Sequence, residues 1–172
     1  MIFSIREARR EDAHYVMDID IKCFEYPWTA EFWGDASEFY KIVVGTYYGT
    51  PVGMAVYAVG SVICPTFCYE APDNAFTILK VGVKKDFQRH GLGRLLVNDI
   101  KGIACAAKAE GVLSIVPESI CLPDSDRDAS GWLNKVGFEA KHIIPRCFTN
   151  CGESEDGFLF EWNNNAHQPP ST

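Results

Sequence analysis

Gln88-Arg89-His90-Gly91-Leu92-Gly93-Arg94 gathers the residue types that hold a phosphate. Gly91 and Gly93 lack a Cβ, so an anion can approach the main chain closely. Arg89, His90 and Arg94 can add positive charge. Behind the glycines, apolar residues fall at Leu92, Leu95, Leu96, Ile100, Ile103 and Ala107, the spacing of one helix face. The loop therefore opens a helix, whose first N–H groups have no intrahelical acceptor and whose dipole presents its positive end. That combination suits a phosphate, above all a pyrophosphate. A G-x-G step is also a plain left-handed turn, and spacing alone leaves the two readings level.

Two familiar phosphate loops do not fit. No G-x-x-x-x-G-K-[ST] is present, and Leu96 stands where a dinucleotide loop would carry its third glycine. What fits is Gln88-x-x-Gly91-x-Gly93, preceded by Leu79-Lys80-Val81-Gly82-Val83. This resembles the coenzyme A pyrophosphate loop, Q/R-x-x-G-x-G/A, of the GNAT N-acetyltransferases. Cys23-Phe24-Glu25-Tyr26-Pro27-Trp28-Thr29 is similar to the C-F-x-x-P-W-[ST] segment of the ribosomal-protein alanine N-acetyltransferase group. Ala129 and Leu133-Asn134-Lys135-Val136-Gly137-Phe138 look like the family's A-x-x-x-[YFL]-x-x-x-G-F helix and turn, and Glu155–Phe160 its last strand. The matches keep the family's order and span roughly residues 1–162.

The resemblance implies an acetyl-CoA-dependent N-acetyltransferase in which an amine attacks a thioester carbonyl. The oxygen becomes negative and needs a donor. By the resemblance, main chain at Leu79, Val81 and Val83 holds the pantetheine arm, with Val81 contacting the oxyanion. Amides from Gln88 to Arg94 take the pyrophosphate, and Asp126 stands in for the family's pantetheine-binding asparagine. A primary amine with a pKa near ~10 is almost wholly ammonium at neutral pH, so a base helps. Counting seven residues from Gly111, as the alanine N-acetyltransferases imply, reaches Glu118; an ordinary loop carboxylate is the competing reading. Glu25, Asp124 and Asp126 are further carboxylates. Glu25 and Trp28 are the candidates on the acceptor side, although core packing also accounts for Trp28.

The chain departs from the family in three places. Leu133 replaces the usual tyrosine acid, leaving Tyr57 or Tyr69 as alternatives. A CoA thiol with a pKa of about 8.5 is a tolerable leaving group without one. Cys147-Phe148 stands where the alanine N-acetyltransferases carry a tyrosine pair, and the 117–128 loop is longer than theirs. These departures keep open a second reading, a GNAT-fold module that binds CoA with weak catalysis. A nucleic-acid-binding adaptor is a third.

Composition bounds the classes. Sixteen basic against 23 acidic residues, a formal charge of −7, disfavour a general nucleic-acid binder and suit a cationic substrate. No apolar run is long enough to cross a membrane, and no signal-peptide pattern opens the chain, so the expected setting is cytoplasmic. The expected partners are an amine-bearing small molecule, peptide or protein, with neither nucleic acid nor membrane and with homodimer formation open. Seven cysteines, two pairs of them spaced C-x-x-x-C at 64/68 and 147/151, read as reduced thiols with no metal.

The elements that must position these residues are strands at Ile2–Ala8, Lys41–Tyr47, Val52–Val59, Phe76–Val83, Val112–Val116, Phe138–Ile144 and Gly157–Trp162. Helices are expected from Glu11 or Asp12 (with Val16, Met17, Ile19 and Ile21 apolar), over Trp28–Phe39 with Thr29 as N-cap, from Leu92 to a Gly111 cap, and over Ala129–Val136. Tyr48–Pro51 is a hairpin turn, 65–74 is turn-like, 117–128 is a polar loop and 163–172 a frayed tail. The order β-αα-ββ-β-α-β-α-ββ makes a single α/β domain over 1–162, with a mixed, mostly antiparallel twisted sheet flanked by helices.

Overall fold

A computed structural model describes all residues except 37–38, 64–67, 122–127, 151–152 and 165–172. The strands are β1 Ser4–Glu7, β2 Lys41–Tyr47, β3 Thr50–Val59, β4 Val62–Ile63, β5 Cys68–Tyr69, β6 Phe76–Val83, β7 Gly111–Pro117, β8 Glu139–Asn150 and β9 Glu153–Asn163. The helices are α1 Ala13–Cys23, α2 Ala30–Ala36, α3 Leu92–Ala106 and α4 Ala129–Lys135. Seven strands form one sheet in the order β1-β2-β3-β6-β7-β9-β8, and β4 pairs with β5. The β1–β2, β2–β3, β7–β9 and β8–β9 pairs are antiparallel. The fold is the expected mixed α/β arrangement, with β4–β5 added. The chain divides into two compact units, Met1–Ala58 with Ile78–Gly102, and Val59–Thr77 with Ile103–Thr172.

In the first unit, Tyr48 and Gly49 turn the β2–β3 hairpin, both at positive φ (48° and 82°), as a two-residue turn matched to strand twist requires. Val43, Val44, Met54, Ala55 and Val56 are buried in the pair. Thr29 caps α2: its Oγ1 accepts the Phe32 N–H at 3.2 Å. Helix α2 is shorter than the expected Trp28–Phe39. On α1 the buried face carries Val16, Ile19 and Asp20, whereas Ile21 is 63% exposed. Val16 and Ile19 are thus buried as expected, while Asp20 and not Ile21 joins them, because a carboxylate that finds partners can be buried.

In the second unit, β7 buries five consecutive residues, Gly111 to Ile115, and pairs with β9 from Gly111↔Asn163 to Pro117↔Gly157. Gly111 is therefore a strand residue and not the cap of α3. The helix ends through Lys108, at φ 57°, and the Ala109 N–H returns to Ala104 C=O at 2.9 Å. Gly111 meets another demand: a Cβ there would stand 2.5 Å from the Trp162 carbonyl oxygen. Asp128 caps α4, accepting the Gly131 N–H at 2.7 Å, and Gly137 (φ 86°) ends it, with the Phe138 N–H bonded to Leu133 C=O. Strands β8 and β9 run well beyond the expected Phe138–Ile144 and Gly157–Trp162. The extension passes through register breaks between Ala140 and His142 and between Ile144 and Phe148, which interrupt the alternation that marks a strand in sequence.

Candidate active site

The candidate phosphate loop is braced by several contacts within the first unit. The Lys84 N–H donates to Val52 C=O at 2.9 Å, and the Phe87 ring lies 5.4 Å from that of Tyr47. The Gln88 amide group donates to Val83 C=O at 2.8 Å. Leu92, 1% exposed, lies over Gly45 and Gly53, where a Cβ at Gly53 would stand 3.0 Å from its Cδ2. This side chain anchors the start of α3.

Arg89 (φ 61°) and Gly91 (φ 87°) both take left-handed backbone, the curl found in anion-binding nests. The first hydrogen bond of α3 joins the Leu95 N–H to Gly91 C=O at 3.1 Å. The N–H groups of Leu92, Gly93 and Arg94 precede it and have no acceptor in the helix. A Cβ at Gly91 would meet nothing within 4 Å, so the approach is open. Arg89, His90 and Arg94 are exposed around it. One expectation is corrected: the Gln88 N–H already donates to Lys85 C=O at 3.2 Å, so the amides available for an anion begin at Arg89.

Strand β6 alternates as a site strand must. Leu79, Val81 and Val83 are half-buried on one face, while Ile78, Lys80 and Gly82 are buried on the other. The buried face holds a polar knot that sequence reading missed. Asp20, fully buried, pairs with Lys80, 7% exposed. The second Asp20 oxygen accepts the Trp28 N–H at 2.7 Å and Trp33 Nε1–H at 3.1 Å. Trp28 is 6% exposed and packs with Phe32, Trp33 and Tyr40 at centroid distances of 4.7, 4.8 and 5.6 Å. The Trp28 ring is thus packed in the core, with its Nε1–H buried and without a hydrogen-bond partner among the described residues, while Glu25, three residues before it, is exposed.

In the second unit, Glu118 is exposed at the start of a single helical turn, Glu118–Ile120, after Pro117 ends β7. Glu155 on β9 joins it: its carboxylate accepts the Ser119 N–H at 3.3 Å. Burial, then the nearby Asp128, Glu118 and Glu155 charges, push the Cys121 thiol up to about 11. Two further carboxylates thus face the same turn as Glu118. Asp124 and Asp126 lie outside the described residues.

Leu133, in the place of the family's tyrosine, is 2% exposed and offers no proton. Of the two alternatives, Tyr57 is buried in β3, and burial followed by the Glu7 and Asp99 charges raises its pKa. Tyr69 lines a cavity of about 340 Å³ with Gly111, Leu113, Lys141, His142 and Glu161, at the end of β7 opposite Glu118. Phe148 is buried. Among the described residues, no group of three or more His, Cys, Asp or Glu is placed to hold a metal ion, and no helix is long and apolar enough to cross a membrane.

The model of the acetyltransferase (GNAT) family matches residues 13–138. The chain belongs to the GNAT acetyltransferase family. This GNAT protein is thus an acetyltransferase by family. Its fold is similar to that of the ribosomal-protein-S18-alanine N-acetyltransferase from Escherichia coli, with TM-score 0.72, 17% identity and 94% of each chain covered. Arabidopsis thaliana NAA60, solved with acetyl-CoA, superimposes with TM-score 0.76 at 14% identity, covering 95% of this chain and 99% of that one. Ard1 from Thermoplasma volcanium gives TM-score 0.73 at 20% identity, covering 93% and 97%.

Proposed function

We propose that this protein moves the acetyl group of acetyl-CoA to a primary amine by direct attack in a ternary complex. The observation that carries the reading is the braced loop of residues 89–94, with left-handed Arg89 and Gly91 and the first amides of α3, which have no acceptor within the helix. Those amides, with Arg89, His90 and Arg94, receive the pyrophosphate. Main chain at Leu79, Val81 and Val83 receives the pantetheine arm, with Asp126 as a further contact.

The amine lone pair attacks the thioester carbonyl carbon, and the Val81 N–H meets the oxygen as it becomes negative. Collapse of the tetrahedral intermediate breaks the C–S bond and releases CoA thiolate, and the attacking nitrogen gives up its second proton to solvent as it becomes the amide. Glu118 takes the proton from the ammonium, through water where it does not reach directly. The neighbouring Glu155 favours a cationic acceptor over a neutral one. With Leu133 buried in the acid's place, the thiolate leaves unaided. Glu25 and the segment carrying Trp28 form the acceptor side. The acceptor is the α-amine of a peptide or protein, a lysine side chain or a small amine. The S18-alanine activity of one structural relative supports the first.

Thiol release from acetyl-CoA, measured across a panel of peptides and amines, tests this. Glu118→Gln should lower kcat by about 10²–10³ and change the pH–rate profile. An unchanged profile would remove Glu118 as the base. The buried Leu133 also favours a second reading, a CoA-binding module with weak chemistry, marked by tight CoA binding without thiol release for any acceptor.

A further inference from the structure

We propose that Asp20 and Lys80 form a buried clasp that fixes the Phe24–Trp28 segment against β6 and thereby sets where the acceptor amine lies. Every contact converges on one short stretch of chain. Lys80 projects from β6 between Leu79 and Val81, on the face away from theirs. Its ammonium pairs with Asp20 Oδ1, donates to Tyr26 C=O at 3.3 Å, and stands 4.6 and 4.7 Å from the Phe24 and Trp28 ring centres. Asp20 Oδ2 accepts the Trp28 N–H. Phe24, Tyr26 and Trp28 are thus held by one cation and one carboxylate, on either side of Glu25. Two residues along β6, Gly82 admits the same segment, since a Cβ there would stand 2.9 Å from Phe24 Cε2.

A charge pair suits this task better than apolar packing. Leucines would bury the segment as well but would tolerate small slides, whereas a carboxylate shared between Lys80, the Trp28 N–H and Trp33 Nε1 fixes direction. Asp20 and Lys80 are positioning residues, acting through the Phe24–Trp28 main chain. The proposal rests on the assignment of Glu25 and its neighbours to the acceptor side.

The test compares wild type with Lys80→Met, Asp20→Asn and the double variant D20N/K80M. The double variant removes both charges, so no lone buried ion is left, while the amide oxygen that D20N leaves can still accept the Trp28 N–H. Three quantities are read: CoA affinity by calorimetry, acceptor KM for the amine that wild type acetylates fastest, and amide hydrogen exchange. The expected result is at least about tenfold higher acceptor KM in K80M and the double variant, with CoA affinity unchanged. Exchange should speed up at residues 24–28 and stay unaltered at 89–94. A double variant with wild-type KM and wild-type exchange at 24–28 would overturn the clasp. Exchange is read without an acceptor, so the clasp is judged even if no amine is acetylated; loss of wild-type turnover or of CoA binding would count against the acetyltransferase reading instead.

Discussion

Gly82 lies against the edge of the Phe24 ring, where a Cβ would stand 2.9 Å from Cε2, with Ile19 Cγ2 at 3.1 Å and Cys23 Cβ at 3.2 Å. Nothing bulkier than hydrogen fits between β6 and the end of α1. Gly82→Ala should therefore destabilise the fold by about 1–3 kcal/mol through overpacking. Urea titration measures it: the midpoint should fall with the slope unchanged.

Lys101 is buried on α3, and burial lowers its pKa from 10.5 to about 8. Between those values the unfolded chain binds more protons than the folded one, so stability rises with pH across that window. Wild-type stability should therefore climb between pH 8 and 10.5, and Lys101→Met, which has no proton to lose, should flatten that climb. Chemical denaturation at pH 7 and pH 10 reads the difference.

Arg6 donates to Asp12 Oδ2 at 2.6 Å and to Oδ1 at 2.9 Å, and Oδ2 also accepts the Arg9 N–H at 2.7 Å. The Arg6 guanidinium holds the Asp12 carboxyl below its usual value, against the opposing effect of burial. Its stabilisation is complete above the unfolded pKa near 3.8 and is lost as pH falls through the lower folded one. Asp12→Asn should cost about 1–3 kcal/mol at pH 7, and the cost should vanish in strong acid.

The cysteines provide a chemical check on the Glu118 turn. Cys121, pushed up to about 11 by burial and three carboxylates, carries almost no thiolate at pH 7.5. Cys105 is exposed. Iodoacetamide followed by peptide mass analysis should label Cys105 well before Cys121. E118Q or E155Q should speed labelling of Cys121, since each removes a charge that disfavours the thiolate.

Much of this molecule is visible in its sequence where one period rules a segment. Phe76–Val83 and the start of α3 at Leu92 fall where residue types put them, because the apolar spacing changes at the two glycines. The turn closing α3 was misread because Lys108, which sequence gives no reason to place at positive φ, does what glycine usually does. The β4–β5 hairpin contributes only two residues per strand, too few to show a period. Asp20 and Lys80 are 60 positions apart, and each alone reads as an ordinary surface charge. Only the fold brings them together, and Glu155 likewise reaches Ser119 through the pairing of β7 with β9.

The most direct measurement is calorimetric titration with CoA and, separately, with pantetheine, which keeps the arm and lacks the pyrophosphate. If the amides of residues 89–94 hold that pyrophosphate, CoA binds measurably and pantetheine at least about 100-fold more weakly. Equal affinity for the two, or no heat with CoA, would contradict the account.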